Sequence, residues 1–269
     1  MEYVTVAGVD VPALGLGTWP MKGKECRRAV ETALDLGYRH IDTAQLYGNE
    51  AAVGEAIRDS TVDRDDVFLV TKVHRDNLAY RDVLDSVQGS RERLGTHIDL
   101  LLIHSPSRRV PLEASIRAMN ELQDDGLVSH IGVSNFSVTQ LEEAIATSRT
   151  PIITNQVEYH PYARRDELLA FCIDEGIMLT AYSPVAKGRV AKDTLLQDIG
   201  DRHGKTATQV ALRWLVQQDM VSAIPKSANP SRQAENIDIF DFVLSTDEMN
   251  QIFELQATLV DRLRARLGL

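Results

Sequence analysis

Four polar residues stand where short apolar runs of the sequence end. Asp42 closes the run 39–42 and Lys72 closes 67–72, while His104 directly follows 99–103. Tyr47 lies beyond Asp42, in the segment leading to Asn49-Glu50. Each alone has an ordinary structural reading: a turn cap, a snorkelling lysine, a core histidine, a packed aromatic. Together they make a proton donor. A lysine and an aspartate buried at neighbouring strand ends must pair, because either charge alone is costly to bury. A lysine ammonium close to a tyrosine favours the phenolate and so makes Tyr47 a usable acid nearer neutral pH. His104, adjacent to it, can hydrogen-bond a substrate oxygen and orient it. The set offers general-acid help to a carbonyl and requires neither a nucleophile nor a metal.

Such a constellation needs a scaffold that gathers strand ends. Short β-prone runs recur at 13–17, 39–42, 67–72, 99–103, 128–133, 152–157, 177–182 and 221–224, with helical patterns between them. Runs such as Leu100-Leu101-Leu102-Ile103 are apolar on both faces, as expected of parallel strands covered inside and out. Between the first two runs, Cys26, Ala29, Val30, Ala33 and Leu34 fall on one helical face, and Gly37 follows where a left-handed stop is wanted. Helices are likewise predicted over 50–58, despite Gly54, and over 205–218, where Thr206 or Thr208 supplies a cap. The alternation predicts an α/β chain of the (β/α)8 TIM-barrel class, one domain over 1–269. Residues 3–12 read as an N-terminal β-hairpin at the barrel bottom. No Gly-x-Gly-x-x-Gly follows the first run, which disfavours a Rossmann domain.

Composition narrows the functional class. The 269 residues are 43% hydrophobic and 25% charged, with a net charge of -10, which argues against nucleic-acid binding. No apolar run approaches the ~18 residues of a membrane span. Cys26 and Cys172 imply no disulfide framework, and residues 1–10 lack a secretory pattern. A cytoplasmic monomer acting on a small molecule is expected.

Three ordered motifs carry a family resemblance over essentially the whole chain. Ile41-Asp42-Thr43-Ala44-Gln45-Leu46-Tyr47-Gly48-Asn49-Glu50-Ala51-Ala52-Val53-Gly54 resembles the first signature of the aldo-keto reductases. Gly132-Val133-Ser134-Asn135-Phe136 is similar to their strand-five motif. Ile224-Pro225-Lys226-Ser227, running on to Arg232, Glu235 and Asn236, is similar to their cofactor motif. The wording is similar to the short prokaryotic 2,5-diketo-D-gluconate reductase and methylglyoxal reductase branch. The resemblance implies a catalytic tetrad of Asp42, Tyr47, Lys72 and His104, with Tyr47 as the acid. It implies that Ser134, Asn135 and Gln156 hold a nicotinamide carboxamide and that Tyr182 stacks on the ring. Thr18 joins this cofactor set, and Ser183, Pro184 and Val185 begin a loop passing over the pyrophosphate. Lys226, Ser227 and Arg232 match the 2′-phosphate site, and Glu235 and Asn236 match adenine contacts. Trp19, His74, Tyr47 and His104 are the implied substrate-binding residues.

Charge supports the cofactor independently. Lys226 and Arg232 flank a helix start after Pro230 and concentrate positive charge and amide donors on one phosphate, so NADPH (NADP+) is preferred over NADH. The expected activity is reduction of small aldehydes, α-dicarbonyls or keto-sugars. Several positions depart from the family pattern. Ser105-Pro106 replaces a common tryptophan-proline, and His74 stands where an aromatic is frequent. The segment 185–189 is short, with Lys187 or Arg189 available to the pyrophosphate. The tail 261–269, bearing Arg262, Arg264 and Arg266, matches a region that borders the pocket. Trp214 reads as core, and Arg108-Arg109 and Arg164-Arg165 as solvated surface charge. Two other functions use the same residues. One is a Schiff-base aldolase through Lys72, and the other a non-enzymatic NADP(H)-binding regulatory module, which an intact tetrad disfavours.

Overall fold

Alternating valines fold the first residues into a hairpin. In the computed structural model, which describes residues 1–255, β1 (Tyr3–Val6) and β2 (Val9–Pro12) pair antiparallel with Val6 opposite Val9. Ala7 and Gly8 both take positive φ, the turn geometry that matches the twist of a two-residue hairpin. Val6 and Val11 point into a cluster with Val70, Leu100, Leu102, Ile153 and Met178, which come from four different parallel strands. The hairpin therefore closes the bottom of the sheet with its own apolar face.

Eight parallel strands follow: β3 (Leu16–Gly17), β4 (His40–Asp42), β5 (Phe68–Val73), β6 (Ile98–Ile103), β7 (Val128–Ser134), β8 (Ile152–Glu158), β9 (Met178–Tyr182) and β10 (Val221–Ala223). They lie side by side in chain order, as short right-handed crossovers require. Leu14 bridges Ala223, and Gly17 N–H donates to the Pro225 carbonyl at 3.1 Å, so the first strand meets the last and the sheet closes. A Cβ at Gly17 would sit 2.7 Å from the Ile224 carbonyl oxygen, and only glycine permits that approach.

Helices coat the outside. They include α1 (Gly23–Asp35), α2 (Glu50–Arg58), α3 (Tyr80–Leu94), α4 (Leu112–Asp124), α5 (Val138–Thr147), α6 (Asp166–Asp174), α7 (Thr194–His203), α8 (Ala207–Val216) and α9 (Pro230–Ile237). The α1 face named from the sequence, Cys26 through Leu34, is buried. Thr206, not Thr208, caps α8, in a reciprocal box with Gln209. The helix predicted over 205–218 is α8; α7, which precedes it, was not predicted, and a 3-10 run over Ala186–Lys192 leads into that helix. Trp214 is buried between Tyr159 and Phe253. Arg164 differs from the solvated reading: it pairs with Asp166 and lies over the Phe253 ring, because that ring offers its guanidinium an apolar and electron-rich face. No helix among the described residues is long and apolar enough to cross a membrane. The tail 261–269 lies outside the described residues.

Candidate active site

Strand ends at one rim of the barrel bring the tetrad residues together. Asp42 ends β4, and Lys72 is the penultimate residue of β5, in a hydrogen-bonded neighbouring strand. Tyr47 closes a 3-10 turn, Gln45–Tyr47, that climbs from β4, and His104 follows β6. Lys72 Nζ donates to Asp42 Oδ1 at 2.6 Å, to the Thr43 carbonyl at 2.8 Å and to Tyr47 Oη at 3.3 Å. All three ammonium donors are thereby engaged, which is what a fully buried lysine requires. The His104 ring meets the Tyr47 ring edge-on with centroids 5.6 Å apart, and Trp19 covers another side of Tyr47 at 5.1 Å.

Protonation states follow from this burial. Burial opposes the Lys72 ammonium, but the Asp42 carboxylate and Tyr47 more than offset it and hold its pKa above the ordinary lysine value. Burial raises the Tyr47 phenol, and the pull of Lys72 does not cancel it. The sequence argument gave the ammonium the upper hand; in the structure desolvation wins, so Tyr47 stands as a neutral phenol with a proton to give. His104 is lowered to about 4, by burial first and then by the Lys72 charge, and its ring is neutral at pH 7. Its Nδ1 is buried without a hydrogen-bond partner.

A cleft of about 1090 Å³ opens above these residues. Gln156, inward-facing on β8, donates from Nε2 to Asp42 Oδ2 at 2.7 Å, which leaves its Oε1 as the acceptor presented to the cleft. Ser134 Oγ donates to the Gln156 carbonyl at 2.8 Å. Asn135, in left-handed backbone just past β7, donates to the His104 carbonyl at 3.1 Å and accepts from Tyr182 Oη at 3.0 Å. Thr18 is buried and donates from Oγ1 to the Asp42 carbonyl at 2.9 Å. Ser183, Pro184, Val185 and Lys187 form the next stretch of wall. Lys226, Ser227, Arg232, Glu235 and Asn236 line the far end. There Asn229 caps α9 by accepting from the Arg232 N–H, with Pro230 in the first turn.

Two expected residues stand apart. His74 faces a second, smaller cavity, where its N–H is accepted by the Gln45 side chain. Arg189 lies over the Tyr162 ring at 3.9 Å, whereas Lys187 reaches the cleft wall. Glu235 accepts from Thr206 Oγ1 at 2.7 Å. Among the cleft residues not anticipated is a charged one, Glu158, half-exposed and beside Tyr182, with His160 Nε2 at 3.6 Å. It follows Gln156 by two positions on one strand, and strand alternation alone would have found it.

The wall fits an elongated nicotinamide dinucleotide. Its middle offers an amide acceptor fixed by Asp42 and the aromatic Tyr182. Its far end offers Lys226 and Arg232, whose side chains have no ion-pair partner among the described residues, and the N-terminus of α9. No group of metal-ligating side chains occurs among the described residues.

Comparison with known proteins places this geometry in context. The Aldo/keto reductase family model matches residues 13–257. The chain is 40% identical over 247 residues to glyoxal reductase of Bacillus subtilis (strain 168), covering 91% of this chain and 89% of that protein. It superposes on a crystal structure of a candidate 2,5-diketo-D-gluconic acid reductase B with a TM-score of 0.93 and 51% identity, covering 95% and 91% of the two chains. An aldo-keto reductase of Bombyx mori in complex with NADP gives a TM-score of 0.88 at 33% identity, covering 94% of this chain and 92% of that one.

Proposed function

We propose, from the premise that this chain belongs to the aldo/keto reductase family and is a nicotinamide-dependent oxidoreductase, that it uses NADPH to reduce small aldehydes, α-dicarbonyls or keto-sugars to alcohols. The observation that carries this reading is the hydrogen-bonded chain Asp42–Lys72–Tyr47 at the floor of a cleft whose other end holds two cations without an ion-pair partner among the described residues. A reduced nicotinamide held there would supply the hydride for the carbonyl carbon. Tyr47 gives its phenolic proton to the carbonyl oxygen as negative charge develops on it. Lys72, 3.3 Å away, stabilises the phenolate left behind. Asp42 keeps Lys72 charged and in place. His104, neutral, orients the carbonyl oxygen as a hydrogen-bond donor.

Other side chains define the cofactor end. Gln156, Ser134 and Asn135 would hold the nicotinamide carboxamide, and Tyr182 would pack on the ring. Lys226, Ser227 and Arg232 take the 2′-phosphate, and Lys187 stands where it can meet the pyrophosphate. Trp19 and Leu46, both about half exposed, give the substrate mouth an apolar lip. The related glyoxal reductase supports an α-dicarbonyl substrate, and the 2,5-diketo-D-gluconic acid reductase B likeness supports a keto-sugar. A Schiff-base role for Lys72 is disfavoured, because a nucleophilic amine must be neutral and this one has every donor committed to an oxygen.

Tyr47→Phe tests the reading. Removing general-acid assistance costs about 100- to 10,000-fold in turnover, so methylglyoxal reduction should all but vanish. NADPH should still quench tryptophan fluorescence, since Tyr47 is not a cofactor anchor. Near-wild-type turnover in this variant refutes the assignment.

A further inference from the structure

We propose that Gln45 is a positioning residue that sets the separation between the Tyr47 hydroxyl and the Lys72 ammonium, by stapling the turn that carries Tyr47 to the end of the strand that carries Lys72. The inference rests on the reading of Tyr47 as the acid. Gln45 opens the 3-10 turn two residues before Tyr47, and His74 stands two residues beyond Lys72. Gln45 Oε1 accepts from the His74 N–H at 2.8 Å and from Asn77 Nδ2 at 3.3 Å, and its Nε2 donates to Ser90 Oγ on α3 at 3.1 Å. One side chain thus joins three elements behind the tyrosine, in the smaller cavity and away from the reactive cleft.

Gln45 is the residue of the turn whose side chain bonds away from the cleft. The central residue, Leu46, is 51% exposed. Backbone bonds from Tyr47 N–H to Ala44 and from Gly48 N–H to Gln45 hold the local shape, Tyr47 packs on the cleft side against Trp19 and His104, and Asn49 ties the far flank to the Thr18 and Met21 carbonyls. Below the staple the hydrogen bonds continue toward Lys72. Ser90 also accepts from Arg93, whose guanidinium grips the buried Glu50, and Glu50 accepts from Thr71 Oγ1 at 2.6 Å, next to Lys72. The turn is therefore referred to the same framework that holds the lysine. The Tyr47–Lys72 contact is the longest of the three that Lys72 makes, so a small lift of the turn breaks it first.

The test compares Gln45→Met, which keeps side-chain length without strong hydrogen-bonding atoms, with Gln45→Glu, which keeps the acceptor for the His74 N–H. Turnover of methylglyoxal and the NADPH dissociation constant from fluorescence quenching are measured for both. Misplacing a reacting group by about 1 Å costs on the order of 100-fold, so Gln45→Met should lose about 10- to 100-fold in kcat with cofactor affinity unchanged, and Gln45→Glu should regain most of it. Wild-type kcat in Gln45→Met overturns the inference, as does a parallel loss of cofactor affinity, or a Gln45→Glu no better than Gln45→Met. Should Gln45→Met not fold, Gln45→Asn, one methylene too short to reach His74, carries the same comparison. Activity surviving in Tyr47→Phe would remove the parent reading. An inactive Tyr47→Phe beside a fully active Gln45→Met removes this inference alone.

Discussion

Burial, more than any single neighbour, decides which protons the site holds. Lys72 stays charged because a carboxylate, a carbonyl and a phenol surround it, and Tyr47 stays protonated because desolvation outweighs the ammonium's pull. His104 shows the same competition with a consequence for stability. Its pKa falls from the ordinary 6.5 to about 4 on folding, through burial and then the repulsion of Lys72. Below pH 6.5 the unfolded chain takes up a proton at this position and the folded chain does not. Stability rises with pH wherever the unfolded state binds more protons, so the contribution of neutral His104 is complete above pH 6.5 and is lost progressively toward pH 4. The buried His40 and His160 and the half-buried His130 are lowered as well, and acid destabilisation of the whole protein sums them. His104→Gln isolates one part: between pH 7.5 and pH 4.5 its melting temperature should fall less than that of the wild type. Parallel curves for the two proteins would show that His104 does not titrate differently in the folded state.

Elements were legible where their packing imposes a period, and illegible where a few residues break it. The run 99–103 read as a strand, observed as Ile98–Ile103, because parallel strands buried on both faces tolerate no polar alternation. The α1 stripe read equally well, since one helical face meets the sheet. Helix α7 did not. Lys187 and Gly188 adopt left-handed backbone inside the 3-10 run that precedes it, and that kink erases any 3.6-residue pattern in the stretch leading to α7. In the site, Asp42, Lys72 and His104 were legible as polar ends of apolar runs. The Gln156–Asp42 bond spans 114 residues and no local pattern announces it. Gln45 sat in a recognised motif, but its role depends on where His74 and Ser90 arrive. Gly54 illustrates how packing overrides propensity. By propensity, Gly54→Ala inside α2 should stabilise by about 1 kcal/mol. A Cβ there, however, would lie 2.0 Å from the Leu94 carbonyl oxygen at the end of α3, and backbone cannot yield as a side-chain tip does. The expected outcome is a loss of about 1–3 kcal/mol or more in denaturant unfolding. A variant more stable than the wild type would mean that α2 and α3 do not approach so closely.

At the scale of the whole molecule, closing the sheet puts its chemistry at one rim and its plug at the other. The hairpin seals the lower end with Val6 and Val11, leaving the strand ends that bear Asp42, Lys72 and Gln156 open to the cleft. Charge is distributed with the same asymmetry. The chain carries a net -10, so an anionic dinucleotide approaches an unfavourable average field and must be captured by a local exception. That exception is the far end of the cleft, where Lys226 and Arg232 project without partners among the described residues beside the N-terminus of α9. NADPH and NADH differ only by the phosphate that such a patch would hold. A charge-assisted hydrogen bond contributes about 1.5–3 kcal/mol, and the exposure of Arg232 places its share at the low end. Arg232→Ala should therefore weaken NADPH binding by roughly 10-fold, with every 1.4 kcal/mol counting as one factor of ten, and leave NADH nearly untouched. Raising the ionic strength should narrow the gap between the two cofactors in the wild type more than in the variant, because the phosphate contact is the screened one. Equal losses for both cofactors in Arg232→Ala, by fluorescence titration, would place Arg232 on a part of the dinucleotide that they share and remove the electrostatic basis for preferring NADPH.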